Sequence, residues 1–292
     1  MAGYGEAMAH GAATVVNAIA IGRGAAFGVD LKTVAKVELT LDIGAVKGRI
    51  IAEPEESTNL IEKTVLRVLR YFNADKKFGA VAETESEIPV ARGLKSSSAA
   101  ANALVLATAA ALGKKIEDSV ILALSVDSAM DAKTTITGAY DDVCASYFGN
   151  MVITHNVKRK ILKKYAPKRK YNVVFQLPSK KVYTATSNVE RMRLIAPQVE
   201  LAFQEALSGN YWAALTLNGM LYSAALGYDP TLAVDALEAG AIASGLSGKG
   251  PATVAVVSDE KVNDVIRLWR RYEGRVIKTK MNSVKAHVLK RE

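Results

Sequence analysis

Residues 91–113 read ARGLKSSSAAANALVLATAAALG: a glycine, a lysine and three serines directly ahead of a long alanine-rich run. Alanine is the best helix former, so a helix is expected from about Ser97 to Leu112, with Gly113 supplying the stop. Small side chains let another element pack close, which marks this helix as central and buried. A Gly/Ser loop that opens into a helix presents unpaired backbone N–H groups and the positive end of the helix dipole, an environment suited to phosphate. Gly93 lets the backbone approach a ligand, Ser96, Ser97 and Ser98 offer hydroxyls to phosphate oxygens or magnesium, and Lys95 adds charge. The same residues also suit a serine-capped buried helix with no ligand. A P-loop is excluded, because no GxxxxGK[ST] occurs and SGKG at 247–250 lacks both the spacing and the hydroxyl residue that should follow.

Two other segments carry chemistry. SGLSGKGPATVAVV (244–257) places Gly245, Gly248 and Gly250 close together before a strand; it reads either as a turn or as a second wall around a nucleotide triphosphate. TGAYDDVCASYFG (137–149) places Asp141 and Asp142 in a turn after Gly138. A carboxylate beside a transferable phosphate orients an attacking hydroxyl, accepts its proton or holds magnesium, while either aspartate equally suits a helix cap. Asp127 and Asp131 lie four apart on the preceding helix and share a face, which is a metal-binding or a solvated face.

Around these segments the chain alternates strand and helix signals. VAKVELTLDIGAVKGRIIAE (34–53) predicts strands joined by tight turns, TNLIEKTVLRVLRYF (58–72) a helix, and FGAVAETESEIPV (78–90) a strand stopped by Pro89. KIEDSVILALSVDSAMDAK (115–133) predicts another helix. KRKILKKYAPKRK (158–170) has eight basic residues and no acidic one, and it is taken as the boundary between an N-terminal half, 1–157, and a C-terminal half, 158–292. Beyond it a strand (YNVVFQLP, 171–178), helices over 196–207, 211–225 and 260–272, and a strand over 275–279 give an α+β pattern.

With 292 residues, 50% hydrophobic, the chain has ample apolar surface for a core, so intrinsic disorder is excluded. A single cysteine, Cys144, cannot form an intramolecular disulfide, and His10, His155 and His287 lie too far apart for zinc-ligand spacing; an intracellular, cytoplasmic protein is expected. The apolar stretches 12–21 and 99–112 fall short of the ~20 residues that cross a bilayer. No basic residue precedes Arg23, so the first stretch does not read as a secretory signal and Met1 is taken as the mature start. The net charge of +9 is localised: 158–170 carries +8 and 267–292 carries +7, leaving −6 for the rest. Phosphates must therefore be met locally. The basic run offers one tyrosine and no stacking surface, which argues against the alternative of an RNA-binding module.

Taken in order, these segments resemble the GHMP kinase superfamily, ATP-dependent kinases of galactose, homoserine, mevalonate and phosphomevalonate. That family's P-x-x-x-G-L-G-S-S-A is matched by Pro89, Gly93, Leu94, Ser96 and Ser97, with Lys95 in place of the second glycine. Its G-E-H motif is echoed by Gly5, Glu6 and Gly11, with Ala7 where histidine is usual. SGLSGKGP matches the C-terminal glycine motif, and TGAYDD matches S-G-x-D-N, with Asp141 on the aspartate and Asp142 where asparagine is usual. More narrowly, GAATVVNAIAIGRGAAFGVDL, GLKSSSAAANA and TGAYDDVCASYFG look like the archaeal type of shikimate kinase.

The resemblance implies a two-domain α+β GHMP kinase fold, with an N-terminal domain like one in a ribosomal protein and a ferredoxin-like C-terminal domain. It implies ATP-dependent phosphorylation of shikimate to shikimate 3-phosphate in aromatic amino-acid biosynthesis, with another small alcohol such as homoserine or mevalonate as the alternative. ATP is expected over Pro89, Ala91, Arg92, Gly93, Leu94, Lys95, Ser96, Ser97, Ser98 and Ala99, faced by Gly245, Ser247, Gly248 and Lys249. Magnesium is expected at Ser97, Ser98 and Asp131, with Asp127 still open for the carboxylate. Asp141 and Asp142 are the expected catalytic pair. For the acceptor, Arg23 and Arg92 are candidates for its carboxylate, with Asn17, Lys133 and Asp141 beside them.

Overall fold

The computed structural model describes residues 3–167, 169, 171–179 and 188–292. Two long antiparallel strands, β1 (Tyr4–Val16) and β2 (Arg23–Thr40), form its frame. At about 3.3 Å per residue β2 extends roughly 60 Å, long enough to serve two cores. Its residues 33–40 pair with β4 (Gly79–Ser86), which in turn pairs in parallel with β3 (Val46–Ile50). Its start, Arg23–Phe27, pairs with β5 (Met151–His155). Register shifts in the β1–β2 ladder at His10/Gly11 and Thr14/Val16 mark bulges, which bend and twist a strand.

These strands were not legible between residues 4 and 31. Their side chains are mostly alanine, glycine and valine, and from His10 to Val16 every residue is buried. With both faces covered, the polar/apolar alternation that announces a strand is absent.

Helices α1 (Asn59–Tyr71), α2 (Ser96–Ala111) and α4 (Tyr140–Phe148) pack on this sheet, and α3 (Asp118–Asp131) packs on these three helices. The expected buried helix is α2, and nearly all of its residues from Ser98 onward are buried. It lies on β1 at backbone contact: a Cβ at Gly3 would sit 2.0 Å from the Ala111 carbonyl oxygen, and one at Gly5 2.1 Å from that of Ala107. Ala7, Ala9 and Ala12 of β1 belong to the core under α1–α4, whereas Ala13, Val15 and Val16 of the same strand belong to a second core.

That second core is shared with the C-terminal unit. There β7 (Asn172–Leu177) is followed by α5 (Val189–Leu194), α6 (Ala196–Ser208), α7 (Tyr211–Leu226) and α8 (Thr231–Glu238). Then come β8 (Ala243–Leu246), β9 (Thr253–Val257), α9 (Val262–Trp269) and β10 (Arg275–Lys280). The sheet order β10-β7-β9-β8 is antiparallel throughout, which is the βαββαβ ferredoxin-like arrangement. Strand alternation divides its faces: Val173 and Phe175 turn to the core shared with β1, β2, α6 and α7, and Val174 turns to the core built with α8 and α9.

The basic run does not part the two sheets. Within it, β6 (Lys160–Tyr165) pairs with β5, Met151 opposite Tyr165, on the N-terminal sheet. The last strand, β11 (His287–Arg291), returns to pair with β1. A cut at 157/158 therefore passes through a hairpin. Lys160, Lys163 and Lys164 are exposed on this strand, and lysines there discourage pairing with a foreign strand. Among the described residues, no helix is long and apolar enough to cross a membrane.

Replacing Gly5 by valine forces α2 away from β1. Overpacking of this kind costs about 3 kcal/mol, so thermal unfolding should shift down by about 5–10 °C; an unchanged melting temperature would refute the backbone contact.

Candidate active site

The first turn of α2 opens into a cavity of about 430 Å³ lined by both units. Lys95, at the N-cap, has φ +65°, so the chain enters the helix from a left-handed residue. No side chain caps the turn and it contains no acidic residue. The backbone groups of Ser98 and Ala99 bond to the Lys95 carbonyl at 3.1 and 3.2 Å. The N–H groups of Ser96 and Ser97 precede the helix's own hydrogen-bond ladder, at the positive end of the dipole, and both residues line the cavity.

The second glycine loop rests on the first. Ser247 Oγ donates to the Gly93 carbonyl at 2.9 Å, and a Cβ on Gly93, whose φ is +90°, would lie 2.9 Å from the Ser247 carbonyl oxygen. This brings Lys249 into the cavity wall. Burial first, and then the neighbouring Lys95 charge, lower the Lys249 ammonium to about 7. Lys95 itself meets Asp142, Nζ to Oδ2, at 3.1 Å, with both side chains largely buried. Two of the positions where the sequence departs from the family's motifs, lysine for glycine and aspartate for asparagine, are thus partners in one ion pair.

Asp141 and Asp142 stand in the first turn of α4, entered from Ala139 at φ +46°. Asp141 is 3% exposed. Its Oδ1 accepts from Asn156 Nδ2 at 2.7 Å, and Asn156 is itself held by Thr154 Oγ1 at 2.6 Å. Its Oδ2 occupies space that only a glycine leaves: a Cβ on Gly24 would lie 2.3 Å from it. Burial, with the Asp142 charge adding to it, pushes the Asp141 carboxyl well above the usual carboxylate range, against the opposing pull of Asn156 and Lys95. Asp142 Oδ1 and Thr14 Oγ1 are buried without a hydrogen-bond partner among the described residues, and both residues line the cavity.

The cavity assembles most of the expected residues: Asn17, Ala91, Gly93, Lys95, Ser96, Ser97, Ser98, Lys133, Asp141, Asp142 and Lys249. Leu94 and Ala99 are fully buried and pack in the second core, so any contribution from them is through the backbone. Gly245 touches Gly219 of α7 instead, and Gly248 packs on the Lys95 ammonium end.

Some of the expected residues lie outside this cavity. Arg23 pairs with Glu200 and lies over the Phe203 ring at 5.0 Å. Adjacent strand residues face opposite ways, so with Gly24 toward Asp141, Arg23 turns to α6. Arg92 donates to the Pro178 carbonyl and lines a separate cavity together with Pro89. Asp131 pairs with Arg67, and Asp127 with Arg67 and Arg159. The cavity takes Ala129 and Ala132 from the C-terminal end of α3, because the face shared by the two aspartates points to α1.

Thr14, Gly24 and Asn156 were not anticipated. The first two lie in the featureless small-residue strands, and Asn156 lies beside the basic run; their roles arise from tertiary contacts alone.

The family description GHMP kinases N terminal domain matches residues 59–150. The shikimate kinase of Methanosarcina mazei is 46% identical over 290 residues, covering 99% of this chain and 98% of that protein. That of Methanothermobacter thermautotrophicus is 43% identical, covering 96% of each. Among solved structures, a homoserine kinase from Cytophaga hutchinsonii has a TM-score of 0.74 at 18% identity, covering 98% of this chain and 97% of that one. A mevalonate kinase from Methanococcus jannaschii has a TM-score of 0.76 at 16% identity, covering 95% and 98%. The structural likeness establishes the fold, and the end-to-end identity establishes the kinship: this chain belongs to the archaeal shikimate kinase family of GHMP kinases.

Proposed function

We propose that the chain transfers the γ-phosphoryl group of ATP to the 3-hydroxyl of shikimate. The observation that carries the acceptor is 46% identity to a shikimate kinase along essentially the whole chain. The cavity supports the reaction type, since an uncapped helix terminus, two lysines and a buried aspartate converge in it.

The triphosphate lies against the first turn of α2, where the Ser96 and Ser97 N–H groups receive its oxygens. Lys95 and Lys249 supply positive charge from the two loops, and the low-dielectric setting strengthens what they contribute as negative charge shifts during transfer. The side chains also fit a magnesium ion, a hard cation that takes oxygen ligands: the Ser97 and Ser98 hydroxyls and the unpartnered Asp142 Oδ1 would hold it. When bound, it neutralises charge on the β- and γ-phosphates. Asp141 orients the acceptor hydroxyl and takes its proton; its raised proton affinity makes it a better base than an ordinary carboxylate. Asn156 fixes the oxygen that is not facing the acceptor. With Arg23 and Arg92 engaged elsewhere, Lys133 is the cation for the acceptor carboxylate, and Asn17 and Thr14 serve its other hydroxyls.

ADP release measured across shikimate, homoserine and mevalonate should show turnover with shikimate alone; none with shikimate rejects the assignment. Asp141→Asn keeps the shape of the side chain and should lower kcat by roughly 10²-fold or more, with the melting temperature retained. Turnover near normal in that variant removes Asp141 from the chemistry. Because Lys249 loses its proton near neutrality, its positive charge is present at low pH and fades as pH rises. The KM for ATP should thus climb several-fold between pH 6 and pH 9, and Lys249→Arg, which stays charged, should flatten that profile.

A further inference from the structure

The turn 17–22, which joins β1 to β2, closes the cavity beside Asp141. Asn17, Ala18 and Ile19 line it, and a Cβ on Gly24 would touch both Asp141 Oδ2, at 2.3 Å, and Ala18 Cβ, at 3.0 Å. The serine loop lies on the phosphate side of the cavity, so this turn is the wall an acceptor meets as it approaches Asp141.

The turn is only partly held by its own residues. Asn17 Oδ1 accepts from the Ile19 N–H at 2.9 Å, and the Gly22 N–H reaches the Ala18 carbonyl at 2.8 Å. The Gly22 carbonyl accepts from the Asn156 N–H at 2.9 Å, and three further backbone groups of the turn are bonded by α7 of the C-terminal unit. Asn218 Oδ1 accepts from the Asn17 N–H at 3.0 Å. The Tyr222 hydroxyl donates to the Asn17 carbonyl at 3.2 Å and accepts from the Ala20 N–H at 3.3 Å. Asn218 and Tyr222 stand at i and i+4, on one face of the helix, and both are fully buried. The helix between them cannot shift toward the sheet: a Cβ on Gly219 would lie 2.4 Å from Gly245 Cα in β8.

We infer that Asn218 and Tyr222 are positioning residues for the phosphoryl acceptor, holding the Asn17–Ile19 wall at its distance from Asp141 while themselves lining none of the cavity. The inference rests on the proposed reading of this end of the cavity as the shikimate site. Three hydrogen bonds to main-chain atoms of one short turn fix its height, and small misplacements of a reacting group are costly in rate and affinity. The nucleotide end depends on α2 and the glycine loops, to which neither side chain is hydrogen-bonded among the described residues.

The test uses the full chain carrying Tyr222→Phe, which removes two of the three hydrogen bonds and leaves the ring packed, and, separately, Asn218→Ala. Each variant is measured by steady-state kinetics with both substrates varied, by direct titration of ATP and by thermal unfolding. The KM for shikimate should rise about tenfold in Tyr222→Phe, the effect of one net buried hydrogen bond, and in the same direction in Asn218→Ala. ATP affinity should stay within twofold of the parent. An unchanged shikimate KM in both variants overturns the inference, as does a loss of ATP affinity in step with it, which is the mark of general loosening. A parent enzyme that does not turn over shikimate counts against the functional reading instead, so the two failures are distinct.

Discussion

Contact between the backbone of α2 and that of β1 is the constraint on which the other features depend. Gly3 and Gly5 have no side chain to hold the helix off, and the alanines of α2 and of both long strands leave little to separate helix from sheet. The helix axis is therefore fixed by main-chain atoms, which cannot change rotamer to relieve a misfit. Its first turn in consequence opens at one place, beside the second glycine loop and opposite α4. A terminus left without caps loses stability that a serine or aspartate would have supplied, and its free N–H groups are the ones the proposed triphosphate would meet.

The Lys95–Asp142 pair shows how the site tolerates its departures from the family pattern. Lys95 occupies a left-handed conformation, where glycine is free of strain and any other residue costs about 1–2 kcal/mol. In return its ammonium stands 3.1 Å from a carboxylate placed where asparagine is usual. A buried pair contributes little net stability, whereas loss of either partner leaves an uncompensated charge. The two substitutions make physical sense only together.

What was legible in the sequence was what is written locally. The glycine–serine entry to α2, the glycine loop at 244–250 and the paired aspartates each declare themselves within a few residues, because backbone approach and helix-terminus chemistry depend on residue types side by side. The arginines and Asp131 lie away from the cavity, and a charge at a suitable spacing does not reveal which face it occupies. Arg23 is turned away by strand alternation next to a glycine that had to face Asp141. Asp131 is claimed by Arg67, a partner 64 positions away. β1 and the start of β2 escaped because burial on both faces erases the pattern that marks a strand.

The long strands also govern how the molecule can move. Domain closure of the hinge type needs a few backbone positions, set between two bodies, that absorb the rotation. Here β1 and β2 pass as continuous, bulged strands from one core into the other, laddered to each other on either side of the bulges. Swinging the halves apart would break sheet hydrogen bonds instead of turning a linker. On the proposed reading of the cavity, nucleotide and acceptor would enter and leave at its rim, by displacement of the short segments that border it, and not by a swing of the two halves.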